Sequence, residues 1–353
     1  MLNIRAGSRQ AGFSLVELMV GLTLGLMLIA GAISIYLATS RSYTEVEQVA
    51  ALTENARFAE QVVGESLRHM GFLGEVTANK VEVASGLTAP AGSGDCSTLA
   101  EAGAYNLTRL GYAATVSTRG VALRQCITDG AAGTDVLVIK RALPRPFSDG
   151  PRVGDPNDPP SGTIDTPHAL EKGRTYVMTN NVTGLLFDGE APPTITTGGE
   201  IPGGTAWEYQ YEVFYIRQLS ADPDVPRKLS RRVLSYNPTT AAMEFTTEDL
   251  AEGVENLQLL FGCDSDSNGE VDIYENNAAI NGGGKCNWED VQSVEVFMLV
   301  RSATKDPQYI DEKTYQLGDV SVAAPVDQRN FRRLLSHTSV SLRNLKLMMR
   351  GGA

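Results

Sequence analysis

The clearest chemical potential lies in one acidic segment, residues 264–275, which reads DSDSNGEVDIYE. The segment satisfies the calcium-loop pattern D-x-[DN]-x-[DN]-G-x5-E. In that pattern a glycine, here Gly269, makes the sharp turn between the ligands. The predicted ligands are Asp264, Asp266, Asn268, Glu270 through its carbonyl oxygen, Asp272 and Glu275. Because these are all oxygen donors and are numerous, they favour Ca²⁺ over Mg²⁺.

A solvated hairpin tip rich in Asp, Asn and Gly is the alternative interpretation of this segment. It stays open because residues 257–261, which precede the loop, read as a strand and not as the helix of an EF-hand. If the loop binds Ca²⁺, we expect a structural role outside the cell. The affinity expected for an extracellular module of this kind is about 10⁻⁴ to 10⁻³ M.

Four cysteines allow three disulfide pairings. Sequential pairing, Cys96–Cys126 and Cys263–Cys286, is the prediction because each bridge then closes a short loop. Each bridge would contribute roughly 3 kcal/mol. No C-x-x-C spacing points to zinc, and export of the chain to an oxidising compartment would agree with disulfide bridges.

No catalytic constellation can be assembled, so we predict that the protein is not an enzyme. The three histidines, His69, His168 and His337, are far apart in the sequence, and no G-x-S-x-G motif accompanies them. The formal net charge of −12 also argues against a general nucleic-acid binder. A basic C-terminal stretch could contact DNA, but a solvated face or an acidic partner is favoured because stacking aromatics are missing. Its residues are Arg329, Arg332, Arg333, Arg343, Lys346 and Arg350.

The N-terminal region contains 21 uncharged residues, 18–38, directly after Glu17. As a helix this run spans roughly 30 Å, the thickness of a bilayer core, and the preceding Arg5 and Arg9 favour the cytoplasmic side for its start. Glu17 lies inside the apolar segment, after only residues 13–16, and a carboxylate there is costly and needs a partner. Cleavage as a secretory signal near residues 30–32 is the alternative, and the acid and the long helix argue against it.

The elements that position these residues can be predicted from periodicity. One helix over 13–70, about 58 residues and 87 Å long, should end near Gly71. Its second half carries an apolar face: Val46, Val49, Ala56, Ala59, Val63, Leu67 and Met70.

Short β-like runs follow this helix, which predicts an α+β fold with an antiparallel sheet. Exposed loops are expected over 144–168 and 189–204, where Pro, Gly and Asp accumulate. The predicted strands cover 80–84, 135–140, 174–179, 208–218, 228–235, 254–261, 291–301 and 331–347. The predicted organisation is a leader (1–12), an apolar helix (13–39), its amphipathic continuation and exit (40–78) and a β-rich globular head (79–353).

Residues 12–18, GFSLVEL, resemble the prepilin signal of type IV pilins and type II secretion pseudopilins. The resemblance implies cleavage between Gly12 and Phe13 by a prepilin peptidase, methylation of Phe13, and a role for Glu17 in assembly. The new amino group of one subunit is a cation and Glu17 of its neighbour is an anion. Pairing them would remove two unpaired charges from apolar surroundings.

Five further segments resemble PilW-family minor pilins: 55–58, 67–74, 253–258, 294–301 and 340–344. This resemblance implies a pilin fold and a place near the pilus tip, where the protein would help to initiate assembly and support twitching motility or adhesion. The implied partners are other minor pilins, the major pilin and a tip adhesin, with nucleic acid not expected. The implied location is the inner membrane, with a periplasmic head, and then the extracellular pilus of a Gram-negative bacterium. Two alternatives stay open, a J-type minor pseudopilin of type II secretion and a membrane-anchored calcium-binding adhesin.

Overall fold

The computed structural model describes residue 12 and residues 14–87, 103–118, 127–149, 168–280, 282, 284–285 and 287–343. The chain divides into two compact units, Met1–Ala50 and Ala51–Ala353. The first helix, α1, begins at Leu15 in the first unit and ends at Arg68 in the second. The helix predicted over 13–70 is therefore present, and Phe13 lies outside the described residues.

In the first unit, α1 exposes its apolar side chains along its whole length. Of the described helices, α1 is the one that is long and apolar enough to cross a membrane. Its start is capped, because Ser14 Oγ accepts a hydrogen bond from the Glu17 backbone N–H at 3.2 Å. Ser14 and Glu17 have the Ser-x-x-Glu spacing of a capping box, which stabilises the first turn.

In the second unit, α1 buries a stripe of small and branched side chains, Leu52, Ala56, Ala59, Val63 and Leu67. The spacing of three and four residues keeps this stripe on one helix face. The predicted stop is also present, since Gly71 follows the helix with a φ of 78°, a conformation that favours glycine.

The described residues form fourteen strands, one short helix and three short 3₁₀ helices. The strands are β1 (Val81–Val83), β2 (Gly111–Thr115), β3 (Asp135–Ser148), β4 (Thr175–Thr179), β5 (Gly184–Asp188), β6 (Thr205–Arg217), β7 (Lys228–Asn237), β8 (Ala242–Glu252), β9 (Val254–Cys263), β10 (Ile273–Asn276), β11 (Val291–Arg301), β12 (Thr314–Leu317), β13 (Val320–Ala323) and β14 (Arg333–Ser341). Helix α2 covers Asn277–Ile280, and the 3₁₀ helices cover Ala78–Lys80, Trp288–Asp290 and Val326–Gln328.

The strands build two main sheets. The first has eight strands, with β1-β5-β4-β6-β3-β2 in order and β7 and β8 continuing from β6. Among the described strands of this sheet, only β1 and β5 pair in parallel. The second sheet, β10-β9-β11-β14, is antiparallel throughout, and β12 and β13 form a separate pair. The α+β prediction is confirmed.

A single large core joins α1 to both sheets in the second unit. Val63 of α1, Phe214 of the first sheet and Val296 of the second sheet are all fully buried members of it. The burial of apolar surface from three layers is the main stabilising contribution to such a fold.

All eight predicted strands are present, β11 with the predicted bounds and the other seven with shifted ends, but the predicted loop over 144–168 is wrong at its start. Residues 144–148 belong to β3, where Pro146 lies opposite Trp207 of β6. Register shifts on both sides of Pro146 accommodate the missing N–H group, as expected of a bulge. Residues 150–167 lie outside the described part of the chain, while 189–204 forms no strand, as predicted.

One buried carboxyl group connects the first sheet to the second. Asp135, at the start of β3, is 2% exposed. It accepts hydrogen bonds from Thr115 Oγ1 of β2 at 2.7 Å, Asn277 Nδ2 of α2 at 2.6 Å, and the Leu259 backbone N–H of β9 at 2.9 Å. Burial raises the pKa of Asp135 from 3.8 to about 6, because it outweighs the opposite effect of these hydrogen bonds.

Replacing Asp135 with asparagine should weaken the pH dependence of stability between about pH 4 and 7. The folded pKa lies above the unfolded one, so the stabilisation is complete below pH 3.8 and is lost as the pH rises through about 6. A rise of this size corresponds to about 3 kcal/mol. Urea unfolding of both proteins at the two pH values measures the effect. An equal difference between wild type and variant at both pH values would contradict this account.

Candidate assembly and metal sites

The predicted processing and assembly residues lie at the start of α1. Gly12 is exposed, and a Cβ added there would meet nothing within 4 Å. Glu17 is an acid in the first helical turn, where the positive end of the helix dipole favours it. Within the described residues its carboxylate has no ion-pair partner, so it is available to a group from another molecule.

The predicted calcium loop is the connection between β9 and β10, which pair with Cys263 opposite Ile273. Two backbone hydrogen bonds hold its base, from Asp272 N–H to Cys263 O at 2.8 Å and from Asp264 N–H to Asp290 O at 2.9 Å. Ser267 and Gly269 adopt positive φ values of 61° and 95°, which fold the loop back on itself. The loop is thus part of a β-hairpin, in agreement with the strand predicted before it.

Three of the predicted ligands come together. One carboxylate oxygen each of Asp264, Asp266 and Asp272 lies within 4.8 Å of the other two. Asp264 is buried and the other two are exposed. Three carboxylates this close repel one another, and a divalent cation between them would remove that repulsion.

The other predicted ligands are placed differently. Asn268 Nδ2 donates to Asp266 Oδ2 at 3.1 Å, and Asn268 Oδ1 accepts from the Glu270 backbone N–H at 2.7 Å. Glu275 lies on β10, where its Oε1 accepts a hydrogen bond from the Lys285 backbone N–H at 2.7 Å. The structure does not bring Glu275 into the group of three carboxylates.

A polar residue outside the loop touches the same group. Gln292, on β11, donates from Nε2 to Asp264 Oδ2. The two residues are 28 positions apart and meet only because β11 pairs with β9, with Val291 opposite Cys263. No local motif indicates this contact, although the sequence predicts a strand over 254–261 and another over 291–301.

Of the four cysteines, the described residues include Cys263. Cys263 is fully buried and disulfide-bonded. Cys96, Cys126 and Cys286 lie outside the described residues, so the two predicted pairings stay predictions.

The histidines occupy separate places. His69 Nδ1 lies 3.0 Å from Glu65 O on α1, His168 lies beside the Phe147 ring, and His337 stacks on Phe297 of β11. His337 Nε2 also lies 3.4 Å from Glu295 Oε2.

Part of the basic C-terminal stretch is neutralised within the chain. Arg332 pairs with Asp306 at 2.9 Å, and the fully buried Arg333 side chain pairs with Glu255 and Asp311. The expectation of a solvated basic face is therefore wrong for Arg333. Lys346 and Arg350 lie outside the described residues.

Comparisons with known families match both ends of the chain. The prokaryotic N-terminal methylation motif matches residues 7–33, which include Gly12, Phe13 and Glu17. The model of the type IV pilus-assembly protein W family, PilW, matches residues 213–344, from β6 to just beyond β14. No curated protein and no solved structure matches the chain.

A methylation-type signal, an apolar helix behind it and a mostly antiparallel head define an inner-membrane-anchored pilin with a periplasmic head. The two family matches support the assignment of the chain as a PilW-family pilin with a prepilin-type signal. It is a type IV pilus-related minor pilin, and its class is a structural component of the pilus that a peptidase processes.

Proposed function

We propose that this minor pilin is incorporated at or near the pilus tip, where it helps to initiate assembly and supports twitching motility or adhesion. The observation that carries the proposal is the prepilin-type signal directly before α1, with Glu17 in the first turn and no ion-pair partner for its carboxylate in the described part of the chain. Its action is binding and not catalysis.

The proposed chemistry begins with cleavage between Gly12 and Phe13 and methylation of Phe13. The new amino group is a cation, and it pairs with the Glu17 carboxylate of a neighbouring subunit in apolar surroundings. Either charge alone is strongly disfavoured there, so the pair sets the register of the incoming subunit. Exposed apolar side chains of α1 such as Leu26 and Ile35 then pack against neighbouring helices.

The proposed partners follow from this sequence of events. They are the prepilin peptidase, other minor pilins, the major pilin and a tip adhesin. The protein is held in the inner membrane before assembly and reaches the outside with the pilus. A J-type minor pseudopilin would use the same N-terminal chemistry. The two functions are therefore distinguished by whether the protein is found in surface pili or acts in type II secretion.

Substitution of Gly12 by valine is expected to block cleavage and abolish surface pili. A blocked chain keeps residues 1–12, so mass spectrometry distinguishes 353 residues from the 341 of the processed chain (353 − 12). Gly21→Ala is the matched control, because a Cβ at either glycine meets nothing within 4 Å. Surface binding retained without any pilus defect would instead support a membrane-anchored adhesin. A secretion defect with normal pili would support the pseudopilin.

We also propose that the loop 264–275 binds Ca²⁺ in a structural role. The cluster of Asp264, Asp266 and Asp272 carries the proposal, because its oxygen donors suit a hard cation. Asn268 and Glu270 stay predicted ligands from the sequence pattern, whereas the Glu275 carboxylate lies against Gly284 and Lys285, outside the group of three carboxylates. A bound cation would hold the hairpin tip in one conformation outside the cell.

Isothermal titration of the full chain in detergent micelles with Ca²⁺ should give heat that disappears in the Asp264→Ala/Asp266→Ala variant. Glu270→Ala is the matched control, because the pattern uses only the carbonyl oxygen of Glu270. Heat that is unchanged in the double variant would overturn the site.

A further inference from the structure

Asp264 is a buried carboxylate with no cationic side chain paired to it among the described residues. It is 7% exposed and accepts three hydrogen bonds, from Asn268 N–H at 3.0 Å, from Gly269 N–H at 2.8 Å and from Gln292 Nε2. Within the described part of the chain no lysine or arginine pairs with it. Buried carboxylates are usually paired with a cation or bound to a metal, so Asp264 is a stronger indication of a cation than the two exposed aspartates.

Gln292 supplies a second and independent observation. The residue is 9% exposed, and its amide group lies against Asp264. Its Oε1 is buried and has no hydrogen-bond partner among the described residues. A buried amide oxygen normally has a partner, and the Asp264 carboxylate that contacts this amide group is itself an acceptor.

We infer that Gln292 is a ligand of the cation, binding it through Oε1 from strand β11. The inference rests on the proposed calcium binding and adds a residue that the loop pattern does not contain. The terminal amide torsion of glutamine is soft, so a half-turn exchanges Nε2 for Oε1 beside Asp264. The amide oxygen and the carboxylate of Asp264 then both face the cation, and each gains a partner that it lacks.

The position of Glu275 explains why the cation would need a ligand from outside the loop. In the sequence pattern the last acid supplies two oxygens, but the Glu275 carboxylate lies against the turn at Gly284 and Lys285. Because Ca²⁺ takes six to eight oxygen ligands, a donor from a neighbouring strand helps to complete the set. A cation held in this way would connect the β9–β10 hairpin tip to β11, and so to the centre of the second sheet.

Two substitutions of Gln292 test the inference. Each variant is prepared as the full chain in detergent micelles and titrated with Ca²⁺ by calorimetry. Gln292→Met keeps the side-chain length and removes the oxygen, and we expect binding to weaken by about tenfold or more. Gln292→Glu adds a carboxylate oxygen, and we expect binding to tighten. A glutamine that only donated a hydrogen bond to Asp264 would give the opposite result for Gln292→Glu, because the donor would be replaced by a repelling charge.

Gln258→Met is the matched control, because Gln258 is also a buried glutamine but donates to Gly133 O at 2.7 Å, away from the loop. Its affinity for Ca²⁺ should equal that of the wild type. If both Gln292 variants bind like the wild type, Gln292 is not a ligand although calcium binding stands. If the wild type itself gives no heat, calcium binding and this inference both fail. If Gln292→Met does not fold, the direction of change in Gln292→Glu decides.

Discussion

Replacement of Glu17 by glutamine is expected to lower incorporation of the chain into pili by about a hundredfold. The substitution removes the charge but keeps the helix start, since glutamine also completes a capping box with Ser14. The neighbouring subunit's terminal ammonium group would then lack a counter-charge in apolar surroundings. An uncompensated charge there costs about 3 kcal/mol, and each 1.4 kcal/mol is a factor of about ten.

The amount of this protein in sheared pili, relative to the membrane fraction, measures the effect of the Glu17 substitution. Ser14→Ala is the matched control, because it removes the cap acceptor and keeps the acid. Loss of a cap costs about 1 kcal/mol of helix stability, which the apolar helix should tolerate. Equal defects in the two variants would mean that the helix start matters and the charge does not. Normal incorporation of Glu17→Gln would refute the charge pairing.

The predictability of the N-terminal region has a physical cause. Residues 18–38 lack any charge, and the buried stripe from Leu52 to Leu67 repeats at three and four residues, so local sequence alone determines a helix there. The acidic loop can also be predicted from local sequence, because its oxygen donors lie within twelve consecutive residues.

The strands missed by sequence reasoning depend on their neighbours. β8 contains Glu244, Glu248 and Asp249, which weaken any β pattern, yet it forms because β7 supplies cross-strand partners such as Arg231 for Glu248. Gln292 was missed for a similar reason, since its role depends on the pairing of β9 with β11. Contacts between residues distant in sequence cannot be obtained from local periodicity.

A buried ionic cluster in the head is the other feature that sequence reasoning interpreted incorrectly, and it predicts a large effect on stability. The side chain of Arg333, at the start of β14, is 1% exposed, and the side chain of Asp311 is fully buried. Nε of Arg333 lies 2.6 Å from Glu255 Oε2, and Nη1 lies 3.2 Å from Asp311 Oδ2. Burial opposes the charge of Arg333, but the hydrogen bonds and ion pairs with Glu255 and Asp311 raise its pKa overall.

Arg333→Met is expected to lower the free energy of unfolding by about 3–5 kcal/mol, because it leaves the Asp311 carboxylate buried without its cation. Urea unfolding of the full chain in micelles, followed by tryptophan fluorescence, reports on the head, since both tryptophans, Trp207 and Trp288, lie there. Lys172→Met is the control. Its partner is Glu190, both side chains are more than half exposed, and no measurable change is expected.

The double variant Arg333→Met/Asp311→Leu tests whether the unpaired charge is the cause of the loss. Removing both members of a buried pair leaves no uncompensated charge, so this variant should be more stable than Arg333→Met alone. Tyr315 loses its acceptor on Asp311, at 3.1 Å, so recovery should be partial. If the double variant is less stable than Arg333→Met, the account is contradicted. The loss of packing and of the Tyr315 hydrogen bond would then outweigh the gain from removing the buried unpaired charge.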